Sequence, residues 1–290
     1  MSIQKKRTIH DLFLKKQRRE KIFEAAIYDY PTARAAERAG VDIFIVGVSL
    51  RMNLLGFAYT ISVTIAMMTL FTQAVRRGAP HSFVIADMPF GTYFTAEQAY
   101  RHACDLVRAG ADGIKIEGGR EVSDVVHGLS RREILVHGHI GLVPQSYRKL
   151  GGFRTQGRDA RNAAQLIDDA RALEDAGCML LLVEAMPPPV AQVITEKLAI
   201  PVVGVGAGSL CDGVALVLND FVGWAHIEHP PRYAKQYCDV AEVLTQAITE
   251  LKQDIEQGRY PAPEHYYTMR TEEEERSFRA GREKKDTSTP

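Results

Sequence analysis

The feature that most constrains this chain is an alternation. Short apolar, β-rich runs are separated, again and again, by longer segments of helical period. Strand signals fall at residues 22–28, 43–47, 83–87, 113–116, 134–137, 179–184, 201–204 and, more weakly, 216–218. Between them lie helical segments at 31–39, ending at Gly40, and 63–77, ending at Gly78. Another runs from its Thr95 cap to Ala109, closed by Gly110, with Gln98 three residues on as a capping box. Helical periodicity returns at 122–129, at 160–176 up to Gly177, at 188–198 and at 232–257, and residues 138–158 read as a long loop. Several of the short runs are apolar throughout, as strands buried on both faces of a parallel sheet are. Eight such units predict an α/β fold closed into a (β/α)8 TIM barrel, with a doubly wound open sheet as the alternative.

The chain has 290 residues, a length that suits one barrel. No composition shift or linker marks a second domain, so residues 1–265 are expected to form a single barrel domain. The basic N-terminus is expected to add a helix capped by Thr8 and lying against the fold or a neighbouring subunit. The charged tail, residues 266–290, is expected to be flexible. Lys plus Arg and Asp plus Glu number 36 each, which gives no reason to expect nucleic acid or an anionic membrane as partner. The most apolar stretch, 61–71, is too short to span a bilayer. Cys104, Cys178, Cys211 and Cys238 are scattered with no metal-finger spacing, and they read as packing residues in a reducing, cytoplasmic compartment.

In a barrel, chemistry sits where the strands end. Polar residues recur at those ends: Ser49 after strand two, Asp87 at the end of strand three, Lys115 and Glu117 on strand four, His137 and His139 on strand five, Glu184 on strand six. Lys115 and Glu117 share one strand face because side chains alternate with period two. Singly, each has an ordinary explanation: a cap, a turn former, a solvated charge, a hydrogen-bonded histidine. Five consecutive strands ending this way point to a site. Asp87 and Glu117 could hold a hard cation such as Mg2+, directly or through water. Lys115 could pair with a substrate carboxylate, and Glu184 could take a proton next to a carbonyl.

Several motifs resemble the ketopantoate hydroxymethyltransferase family. They include Ala26-Ile27-Tyr28-Asp29-Tyr30, Ile85-Ala86-Asp87-Met88-Pro89-Phe90 and Lys115-Ile116-Glu117-Gly118-Gly119. Gly138-His139-Ile140-Gly141-Leu142 with Pro144-Gln145-Ser146, Gln156-Gly157-Arg158, and residues 198–208 followed by Asp212-Gly213 continue the resemblance in order. It implies a barrel of the phosphoenolpyruvate mutase/isocitrate lyase type, assembled as a homo-oligomer. It also implies transfer of a hydroxymethyl group from 5,10-methylenetetrahydrofolate to 3-methyl-2-oxobutanoate, a step toward pantothenate. Carried over motif by motif, Asp87 would ligate a divalent metal near the substrate and Glu117 would support it through water. Lys115 and Ser49 would bind the 2-oxo acid. Glu184 would accept the proton, and His139 would line the site.

One region departs from the family. Its strand-two motif resembles Gly-Asp-Ser-Leu-Gly-Met, where this chain has Gly47-Val48-Ser49-Leu50-Arg51-Met52. The metal-ligating Asp is replaced by Val48 and a Gly by Arg51. A following Gly-His-Asp-like run is here Gly56-Phe57-Ala58-Tyr59-Thr60. Arg51 could stand in for the cation or point to solvent. Two other functions stay open at this point: a lyase or mutase of the related superfamily, and a non-catalytic member that keeps only the assembly.

Overall fold

A computed structural model describes residues 5–224 and 231–286. The chain opens with α1 (Ile9–Gln17), then β1 (Ile22–Ala26), α2 (Tyr30–Ala39), β2 (Ile43–Val46), α3 (Leu50–Asn53), α4 (Ile65–Gly78), β3 (Phe83–Asp87) and α5 (Ala96–Arg108). It continues through β4 (Gly113–Glu117), α6 (Ser123–Ser130), β5 (Val136–Gly141), α7 (Tyr147–Leu150), α8 (Ala160–Asp175), β6 (Leu180–Glu184), α9 (Pro188–Lys197), β7 (Val202–Val205) and β8 (Gly213–Val217). The last helices are α10 (Leu218–Val222), α11 (Val240–Glu256) and α12 (Glu272–Asp286). The eight strands pair in sequence order, all parallel, and β1 closes on β8. This is the closed barrel, not the open sheet. Ile, Val and Leu side chains fill its core, with Ile43, Val84, Ile114 and Leu181 fully buried.

The N-terminal helix is present, and at its Thr8 cap the Asp11 carboxylate accepts from both the Thr8 N–H and the Thr8 hydroxyl. Leu12 is buried beneath it. Arg7 and Lys15 pair with Asp42, Lys6 with Asp112 and Lys16 with Asp212, each an acid at or just before the start of a strand. The helix therefore fastens to the end of the barrel opposite the site. On α5, Thr95 caps Gln98 N–H, while the Gln98 side chain accepts from Phe94 N–H rather than returning to Thr95.

Several boundaries differ from the expectation. β5 runs on to Gly141, so His139 belongs to the strand and not to the loop, because residues 138–141 pair with residues 181–184 of β6. Gly141 permits the approach: a Cβ there would stand 2.2 Å from the Glu184 carbonyl oxygen. β8 begins at Gly213, where a Cβ would collide with the Ile22 carbonyl at 2.3 Å. The last long helix starts at Val240, not near 232, because the Asp239 side chain caps Glu242 N–H. The charged tail contains α12, whose Arg276–Glu272 and Arg279–Glu275 pairs lie at i,i+4 spacing. The chain falls into two compact units, Met1–Cys238 and Asp239–Pro290. Among the described residues, no helix is long and apolar enough to cross a membrane.

Candidate functional site

The barrel register brings the polar strand ends together. Asp87 pairs with Lys115, Glu117 with His139, and Gly141 with Glu184. Lys115 Nζ lies 3.2 Å from Asp87 Oδ2, 3.5 Å from Glu117 Oε1 and 3.2 Å from His139 Nδ1. His139 Nε2 in turn stands 3.1 Å from Glu184 Oε2, close enough to bond though off the line of a well-formed hydrogen bond. Asp87, Lys115, Glu117 and His139 are all buried, and the Glu184 side chain is 13% exposed. Ser49 sits beside them, its hydroxyl 2.8 Å from Tyr28 OH. All six residues expected at the site are thus neighbours.

Burial acts on every charge here. It pushes Lys115 down, but the carboxylates of Asp87 and Glu117 outweigh it and hold the ammonium above its usual range. Asp87 and Glu117 are raised by burial, and the Lys115 charge opposes the rise. Burial, then the Lys115 charge, holds His139 well below the usual imidazole range, so its ring is neutral. With Nδ1 accepting from the Lys115 ammonium, Nε2 carries the proton toward Glu184. Glu184 is raised to about 8, first by burial and then by the charge of Glu117. The backbone supports this residue with strain: Ala185, next along, has φ 48, a left-handed conformation costly for a residue with a Cβ. Its N–H is held by Val205 O and its carbonyl by Gln156 N–H.

Val48 and Arg51 have definite places. Val48 is buried, and its backbone N–H donates to Asp87 Oδ2 at 2.9 Å. Its side chain offers no ligand. Arg51 neither faces the strand ends nor hangs in water. It donates to Tyr59 O at 2.6 Å and lies 3.8 Å from the centroid of the Phe57 ring. Asp87 Oδ1 and Glu117 Oε1 are buried acceptors with no hydrogen-bond partner among the described residues. Those two oxygens are acceptors of the kind a hard divalent cation takes. Among the described residues, no group of three or more His, Cys, Asp or Glu side chains could enclose a metal by itself.

Gln145 and Glu24 escaped the sequence reading. Gln145, on the loop after β5, donates its N–H to Glu117 Oε2 at 2.9 Å and its amide to Met88 O at 3.1 Å. The Pro144-Gln145-Ser146 motif was its signal. Glu24 on β1 and His137 on β5 face each other across the barrel interior, Oε2 to Nε2 at 3.9 Å, both fully buried. Burial raises Glu24 to about 8 and lowers His137 to about 3, so both are neutral near pH 7.

The model of the family described as ketopantoate hydroxymethyltransferase matches residues 6–263. The chain belongs to that family. A ketopantoate hydroxymethyltransferase relative, the 3-methyl-2-oxobutanoate hydroxymethyltransferase of Pyrobaculum calidifontis, is 44% identical over 255 residues, covering 88% of this chain and 96% of that protein. Among solved structures, a phosphonopyruvate hydrolase in complex with oxalate and Mg++ superposes with a TM-score of 0.58 at 13% identity, over 94% of this chain and 96% of that one. A 2,3-dimethylmalate lyase, a member of the PEP mutase/isocitrate lyase superfamily, superposes with a TM-score of 0.52 at 17% identity, over 91% of each chain. These solved structures establish the barrel type and no more.

Proposed function

We propose that this protein transfers a hydroxymethyl group from 5,10-methylenetetrahydrofolate to the 2-oxo acid 3-methyl-2-oxobutanoate, giving 2-dehydropantoate, a step toward pantothenate. One observation carries the reading: Lys115, Asp87, Glu117, His139 and Glu184, from four successive strands, converge within 3.1–3.5 Å links in a family-matched barrel. Lys115 and Ser49 hold the substrate carboxylate, the ammonium by charge and the hydroxyl by a hydrogen bond that Tyr28 orients. Glu184 takes the proton from C3. His139, neutral, steadies the Glu184 carboxylate through Nε2–H. The enolate carbon then bonds to the donor's methylene carbon. Both C–N bonds to that carbon break, and one water supplies the hydroxyl oxygen. The water's remaining proton and the one taken from C3 go to the two released nitrogens, and tetrahydrofolate leaves. A divalent cation such as Mg2+, held by Asp87 and by Glu117 through water, would polarise the 2-oxo group and offset the enolate charge. The lyase alternative has only the shared fold behind it.

Turnover of 3-methyl-2-oxobutanoate with the folate donor, followed as 2-dehydropantoate, tests the reading. Formation of that product is the expected result, and its absence under saturating substrates and Mg2+ overturns it. Lys115→Ala is expected to weaken binding of the oxo acid by roughly 1.5–3 kcal/mol, the range for a charge-assisted contact. Titration calorimetry measures it, and an unchanged dissociation constant removes Lys115 from the carboxylate site.

Assembly as a homo-oligomer belongs to the same proposal. On the barrel, Phe23 and Val214 leave apolar surface open on β1 and β8. On α11, Val243, Leu244, Ile248, Leu251 and Ile255 are all exposed. Apolar surface on this scale supports association. A cytoplasmic setting agrees with the free cysteines among the described residues.

A further inference from the structure

The departures after strand two share a physical theme. Residues 47–64, after β2, and 142–158, after β5, contain no Asp or Glu and five cations: Arg51, Arg148, Lys149, Arg154 and Arg158. The rest of a neutral chain must compensate them. The same two loops carry aromatic rings that meet. Tyr59 and Tyr147 stack at 4.5 Å with planes 10° apart, and Phe153 follows Tyr147 at 6.1 Å and 21°. Arg148 lies 5.9 Å from the Tyr147 ring centroid.

The placement of this column is informative. β2 and β5 are separated in the barrel by β3 and β4. A stack joining the loops that follow them crosses over the ends of β3 and β4, where Asp87, Lys115 and Glu117 stand. Gln145, only two residues before Tyr147, ties the loop to Glu117 and to Met88 O. The outer rings are nonetheless open: Tyr59 is 46% exposed and Phe153 51%. Rings stacked and left half bare gain burial only when something flat covers them. A small branched oxo acid has no ring to lay there.

We propose that this cation-rimmed aromatic column seats the second substrate, a one-carbon donor with flat aromatic rings and a carboxylate tail. Its fused rings stack on Tyr59, Tyr147 and Phe153. Its carboxylate tail lies toward Arg148 and Arg154, which offer planar, bidentate donors. Arg51 braces the wall through Phe57 and the Tyr59 carbonyl. This deepens the hydroxymethyltransferase reading and rests on it.

The probe is 5-formyltetrahydrofolate, a stable analogue of the donor, titrated into the whole protein by calorimetry. The wild-type protein is expected to bind it. Tyr147→Ala and Tyr59→Ala are each expected to weaken that binding about tenfold or more, as the loss of one stacking partner does. Tyr147→Leu keeps bulk without the π face and is expected to behave like Tyr147→Ala, whereas Tyr147→Phe keeps the affinity. Arg148→Glu with Arg154→Glu is expected to weaken binding further and flatten its salt dependence. Binding of 3-methyl-2-oxobutanoate, measured on each variant, reports whether the barrel and the oxo-acid site stay intact. Analogue affinity unchanged in the Tyr variants, or no analogue binding by a wild-type protein that holds the oxo acid, overturns the inference and leaves the oxo-acid half of the proposed function standing. Failure of the wild-type protein to bind the oxo acid at all overturns instead the reading beneath it.

Discussion

Glu184→Gln is expected to abolish exchange of the C3 proton of 3-methyl-2-oxobutanoate with solvent, a fall on the order of 10²–10⁴-fold. Gln has the shape of Glu and can still accept from His139 Nε2–H, so the site keeps its geometry and loses only its base. Exchange needs no folate donor, which isolates this step from the rest of the reaction. The pH dependence gives a second reading of the same group. A base works in its ionised form, and burial together with the Glu117 charge holds Glu184 at about 8. Exchange by the unmodified protein should therefore climb through neutrality and level off above about pH 8. The folded value lies above the ordinary carboxylate value of 4.5, so its ionisation costs stability as pH rises between them. Glu184→Gln should remove that loss, giving a protein inactive in exchange whose stability relative to the unmodified protein is higher at pH 8 than at pH 5. NMR of the substrate in D2O and thermal unfolding at the two pH values measure both effects. Undiminished exchange in the variant would place the base elsewhere.

Much of this site was legible because a parallel barrel enforces a simple rule. Its strands are apolar through the middle, so a charged residue at the end of such a run has few places to go but the rim. Asp87, Lys115, Glu117 and Glu184 obey it. Glu24 does not: it stands inside an apolar run, opposite a histidine that lies 113 positions further on, and nothing local distinguishes it from a solvated acid. The Tyr59–Tyr147 stack was hidden for the same reason, since it joins loops that only barrel closure brings together. β8 was faint because Gly213 is chosen for its lack of a side chain against Ile22 O, which weakens the strand signal it opens. The helix in the tail was hidden because a run of acids followed by bases looks like a solvated coil, whereas at i,i+4 spacing it pairs along a helix.

Val48→Asp is expected to tighten divalent-metal binding about tenfold or more. Val48 N–H donates to Asp87 Oδ2, so a carboxylate at 48 would arise on the residue already bonded to the proposed metal ligand Asp87. A hard cation gains an anionic oxygen there, and a charge-assisted contact is worth roughly 1.5–3 kcal/mol. Without metal, the same change sets a second carboxylate near Asp87 in a buried place, where burial already raises the Asp87 value. The variant should therefore be less stable than the unmodified protein in a chelator, and Mg2+ should restore it by mass action. Calorimetric titration with Mg2+ and thermal unfolding with and without it give two readings, neither of which depends on turnover. Folate-dependent turnover should rise in parallel. Arg51→Gly, by contrast, is expected to leave metal affinity untouched, because the guanidinium is committed to Tyr59 O and Phe57 and not to the strand ends. Equal Mg2+ affinity in Val48→Asp and the unmodified protein would show that position 48 lies outside the metal's reach, and that the lost Asp costs this protein nothing in cation binding.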